Sequence, residues 1–93
     1  MKISSDILMG DYRFKYHFSV ADQTPWFSCN GLLSGVCVYR VKRTWRACTC
    51  HLPSERFAVK DDFGCEVRFR TPQGAAKYLV EAITERKIKR HAA

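Results

Sequence analysis

The chain has 93 residues, 46% of them hydrophobic, and sets 16 Lys and Arg against 9 Asp and Glu for a formal charge of +7. That length suits one domain over residues 1–93 with a single core. There is no apolar run of the roughly 18 residues a membrane span needs, and the apolar stretch within Met1 to Leu8 is too short for a signal peptide. The expectation is a soluble, cytoplasmic protein without a membrane partner, attracted to polyanions at low salt.

Tyr12 to Val20 alternates without interruption, which predicts a strand with Tyr12, Phe14, Tyr16, Phe18 and Val20 on a core face and Arg13, Lys15, His17 and Ser19 on a wet, basic one. A polar break at residues 21–25 precedes a short strand at Trp26 to Cys29. Asn30-Gly31 then supplies the residues that best tolerate a tight hairpin turn. Gly35 to Val41 and Trp45 to Leu52 are β-rich, with Lys42-Arg43-Thr44 as the hairpin tip. A brief strand is expected at Phe57 to Lys60, a turn at Asp61-Asp62-Phe63-Gly64, and a last strand from Cys65 to Arg70.

Thr71 is placed to cap a helix, and Pro72 fits its first position because its missing N–H has no intrahelical partner there. The helix is expected over about 72–89, with Ala75, Ala76, Leu79, Ala82 and Ile83 as its packing stripe. The cations at its end, Arg86, Lys87, Lys89 and Arg90, suit the negative end of the helix dipole. The predicted class is α+β: an antiparallel sheet of four or five strands with one C-terminal helix packed across one face.

The chemistry concentrates in Arg40-Val41-Lys42-Arg43-Thr44-Trp45-Arg46, inside a stretch from Gln23 to Ser54 without a single Asp or Glu. A solvated face normally intersperses both signs to limit self-repulsion. Unopposed cations beside an indole instead suit phosphates and bases. Arg matches the O6 and N7 acceptors of guanine, whereas Lys positions phosphates without reading sequence.

Gly35-Val36, Tyr39-Arg40, Trp45, Ala47, Phe69-Arg70-Thr71 and Gly74 to Leu79, in the order strand, basic hairpin, strand, strand and Ala-rich helix, resemble the AP2-type and phage-integrase arm-type DNA-binding domains. The resemblance covers about residues 35–90. It implies a three-stranded sheet, backed by the helix, that lays its exposed face in the major groove. The implied contacts are Arg40, Lys42, Arg43, Trp45, Arg46, Arg68 and Arg70; apart from the resemblance, the remaining cations Arg13, Lys15, Arg86, Lys87, Lys89 and Arg90 are candidates for secondary contacts.

Cys29, Cys37, Cys48, Cys50 and Cys65 are expected to be reduced thiols. Cys48-Thr49-Cys50-His51 has a donor set suited to zinc, but its one-residue gap is shorter than the spacing of zinc knuckles, and Cys48 and Cys50 on one strand face read as small core residues. No metal or cofactor is expected. His17, His51 and His91 fall in no catalytic pattern, and no phosphate-binding glycine loop occurs, so no enzymatic activity is expected. Two functions follow. The first is a nucleic-acid-binding protein, DNA ahead of RNA, although no residue is tuned to a 2′-hydroxyl. The alternative is a phage- or plasmid-type inhibitor, anti-CRISPR-like, docking on a host protein or nucleoprotein complex.

Overall fold

A computed structural model describes residues 5–33 and 35–85. Five strands, β1 (Ile7–Met9), β2 (Tyr12–Ser19), β3 (Thr24–Cys29), β4 (Val36–Val41) and β5 (Thr44–Cys48), form one antiparallel sheet in chain order. A 3-10 turn, Glu55–Phe57, and one helix, α1 (Pro72–Thr84), complete the α+β fold.

Alternation along each strand divides the sheet into two faces. On the first, Ile7, Phe14, Phe27, Val36, Val38, Trp45 and Ala47 meet Ala75, Ala76 and Leu79 of α1. The helix packs on β1, β4 and β5. It starts where the sequence expects: Thr71 Oγ1 accepts from Gly74 N at 3.0 Å, and Pro72 is buried at the first position. Thr71→Ala is expected to cost about 1 kcal/mol in urea denaturation. The helix is followed to Thr84, with Glu85 at its C-cap. The rest of the expected helix lies outside the described residues.

The second face has a smaller core of Cys37, Tyr39, Cys48 and Ala58, with Trp26, Val41, Cys50 and Phe57 against it. Residues 49–58 cover β4 and β5 here, crossing so close to the start of β4 that a Cβ on Gly35 would lie 2.7 Å from His51 Cβ. Gly35 sits at φ +137, a region a side chain rarely adopts, so both backbone and space require glycine.

Several boundaries differ from the sequence expectation. Strand β1 was not expected; Asp6 helps seat it by accepting from Tyr16 N at 2.8 Å. Phe18 and Val20 are 47% and 74% exposed rather than core, because they lie toward the end of β2 and beyond it, away from the helix. Asn30-Gly31 is not a two-residue turn. The connection runs from Asn30 to Gly35, it buries Leu32, and among its described residues positive φ angles fall at Leu33 and Gly35.

Residues 57–70 form no regular strand. Thr49 N donates to Phe57 O and Val59 N to Ala47 O, while Trp45 and Phe69 exchange both backbone bonds, so two short pieces continue one another along the outer edge of β5. Between them the chain makes a small hairpin, closed by Val67 N to Val59 O at 2.9 Å and by the Lys60 and Glu66 bridge. Asp61 Oδ1 accepts from Phe63 N at 2.9 Å and Cys65 N at 3.0 Å, fixing a tip on which Phe63 is 91% exposed.

Candidate nucleic-acid interface

The β4–β5 hairpin closes at the Val41 and Thr44 pair, leaving Lys42 and Arg43 as a two-residue tip. Thr44 Oγ1 donates to Val41 O, and Arg40 Nε donates to Lys42 O at 2.7 Å. Lys42 adopts φ 58, a left-handed conformation that costs a residue with a Cβ about 1 kcal/mol. Lys42→Gly is therefore expected to raise stability by up to about 1 kcal/mol while weakening polyanion binding. Thermal denaturation and a binding titration of the same variant check both halves.

The Trp45 and Phe69 bridge sets Arg68 and Arg70 on either side of β5's outer partner, one residue from the bridge each way. Arg40, Lys42, Arg43, Arg68 and Arg70 are all exposed, and none forms a salt bridge among the described residues. They lie at the hairpin end of the sheet, Arg40 on the Trp45 side and Arg68 and Arg70, which alternate with Phe69, on the other. Arg13 and Lys15 are exposed on β2, where Arg13 meets Asp6 at 3.6 Å. Arg86, Lys87, Lys89 and Arg90 lie outside the described residues.

Two of the expected contacts are placed elsewhere. Trp45 is 5% exposed, on the helix side, with its ring 5.9 Å from that of Phe27. Arg46 is 7% exposed on the opposite face, where Nε lies 2.9 Å from Glu66 Oε1 and Nη1 donates to Thr44 Oγ1. Arg40 pairs with Trp45, and Arg46 with Tyr39, so Arg40 and Arg46 do not share a surface.

Sequence reasoning passed over a row across the second face. His17 is registered with Trp26, Trp26 with Tyr39, and Tyr39 with Arg46. The His17 and Trp26 rings stack with centroids 4.3 Å apart and planes 22° apart, and His17 Nε2 is 2.7 Å from Ser28 Oγ. The Tyr39 hydroxyl is buried without a hydrogen-bond partner, and burial, with Glu66 next in effect, pushes its ionisation up. The alternation of Tyr12 to Val20 signals His17's face, but nothing in the sequence alone signals its register with Trp26.

Beside this row, a cleft of about 770 Å³ lies between the small hairpin and β5. Its charged lining alternates in sign, with Arg46, Lys60 and Arg68 against Glu55, Asp61 and Glu66. That balance gives it no strong attraction for a polyanion.

Cys37 and Cys48 are partners across β4 and β5, and both are fully buried. The neighbouring Cys48 thiol, together with burial, holds Cys37 far above its ordinary range. The same neighbour lowers Cys48, whose Sγ lies 3.6 Å from Ser54 O and 3.7 Å from Leu52 O. A thiolate is the reactive form, but access decides the rate when the sulfur is sealed. A thiol-specific reagent is expected to modify exposed Cys65 first and half-buried Cys50 next, leaving Cys29, Cys37 and Cys48 until the protein is unfolded. Mass spectrometry of the timed reaction checks that order. Among the described residues no group of three or more His, Cys, Asp or Glu is arranged to hold a metal ion, and no helix is long and apolar enough to cross a membrane.

Comparisons with family models, with curated proteins and with solved structures found no match to this chain.

Proposed function

We propose that this protein binds nucleic acid through the basic end of its sheet. The observation that carries the reading is the gathering of Arg40, Lys42, Arg43, Arg68 and Arg70, exposed and without salt-bridge partners among the described residues, around a hairpin whose strands are paired on both sides. Phosphates attract such a cluster because each neutralised charge releases condensed counterions. Five contacts correspond to a slope of about −4.5 in log affinity against log salt for duplex DNA. Arg40, Arg43, Arg68 and Arg70 carry the forked donor that reads guanine, and Lys42 holds a phosphate. DNA is placed ahead of RNA.

Fluorescence anisotropy with a labelled random duplex and a matched RNA, at several salt concentrations, tests this. The expected result is salt-sensitive binding whose slope falls by about two units in Lys42→Ala/Arg43→Ala. Absence of binding at low salt ends the reading.

One observation favours a second reading, an inhibitor that docks on a host protein or nucleoprotein complex. Phe63 stands 91% exposed on a turn fixed by Asp61, the kind of rigid aromatic that anchors protein contacts. Phe63→Ser would then lose the complex while leaving binding to free nucleic acid unchanged.

A further inference from the structure

The uncovered part of the second sheet face, on β2 and β3, has a composition that the basic end does not need. Its centre is the His17 and Trp26 stack, both rings half-buried, with Ser28 hydrogen-bonded to the imidazole. Arg13 and Lys15 alternate along the same face of β2 and are exposed. Residues 49–58 seal the face over β4 and β5, with Trp26 at the edge of the small core they close, whereas Arg13 and Lys15 on β2 stay exposed.

We infer that this face is a stacking site for the bases of a single-stranded polynucleotide, an inference that rests on the nucleic-acid reading above and adds which form of nucleic acid is held. Charge argues for that occupant. Lys15 and Arg13 follow His17 at two-residue steps along β2, exposed on the same side as the rings, with Arg13 3.6 Å from Asp6. At the usual rise along a strand Lys15 lies about 7 Å and Arg13 about 13 Å from His17, within reach of the phosphates on one side of a base held at the rings. Phosphates can therefore be held beside bases that meet the aromatic pair. Only unpaired bases can do so, because in a duplex their faces are already stacked on each other. The hydrogen bond with Ser28 and the contact with Trp26 hold the imidazole in place before a base arrives, which reduces the ordering cost of binding.

The test uses an oligodeoxythymidylate of about 12 nucleotides, a duplex of equal length, and three variants. In Trp45→Phe, Trp26 is the remaining indole, so base stacking reports directly as quenching of its fluorescence. Trp26→Ala and His17→Ala provide affinity measurements that do not depend on the Trp45→Phe protein folding. The expected result is quenching by the oligonucleotide, and a loss of about tenfold in oligonucleotide affinity in Trp26→Ala with duplex affinity and salt slope unchanged. Oligonucleotide binding that neither quenches Trp26 nor weakens in Trp26→Ala and His17→Ala would overturn the stacking site and leave the basic end standing. Preference for the duplex would do the same. No binding of either ligand by the unmodified protein would overturn the nucleic-acid reading itself, and the stacking site with it.

Discussion

Trp45→Ala is expected to remove about 3–5 kcal/mol of folding stability, a large part of the total of about 5–15 kcal/mol typical of a domain. The side chain is 5% exposed, stands 5.9 Å from Phe27 ring to ring, and belongs to the core that α1 closes. Its backbone also exchanges two hydrogen bonds with Phe69, whose ring lies 5.4 Å from Tyr78 of the helix. The cavity left by alanine would therefore open where sheet, edge and helix meet. Trp45→Phe keeps an aromatic against Phe27 and should lose much less. Urea denaturation followed by circular dichroism measures both. A ligand-contacting indole would behave differently: Trp45→Ala would then be nearly as stable as the parent and defective only in binding.

How far this fold can be read in advance depends on what each signal encodes. Period-two alternation fixes the phase of β2, and Phe14 is fully buried as that phase requires. It does not encode how far the covering helix reaches, so Phe18 and Val20 carry the same pattern into solvent. Capping chemistry is local, which is why Thr71 and Pro72 mark the helix start directly. Strand β1 has three residues and no period to detect. Asn30-Gly31 is a strong turn signal, but burying Leu32 requires a longer connection than a two-residue turn allows.

The basic cluster shows how one residue of register decides a site. A three-residue tip, Lys42-Arg43-Thr44, would pair Arg40 with Arg46 and put both on one face. The actual tip has two residues, so Arg40 pairs with Trp45 and Arg46 with Tyr39. A shift of one sends each side chain to the other face. Charge density in the sequence located the hairpin, but only the pairing shows that Arg46 is turned into a buried ion pair while Arg40 stays with the exposed cations.

That ion pair carries the second large expectation. Glu66→Ala should destabilise the protein by about 3 kcal/mol, because it leaves the Arg46 guanidinium without its carboxylate in a site where the arginine side chain is only 8% exposed. Arg46→Met removes the charge together with the need to neutralise it and should cost less. The double variant Arg46→Met/Glu66→Leu should lie nearer the parent than the sum of the single changes predicts, a difference that a double-mutant cycle in urea measures. Salt should alter these values little, since a pair largely out of water is weakly screened. Binding separates the structural role from a contact role. Arg46→Met should leave the salt slope for nucleic acid unchanged, whereas a direct phosphate contact would lower it by about one unit. Glu66→Ala should weaken binding even though it removes a negative charge. Glu66 ties the small hairpin to β5, and Arg68 follows it two residues later, so loosening that tie spends binding energy on re-ordering a cation that the native edge holds in place.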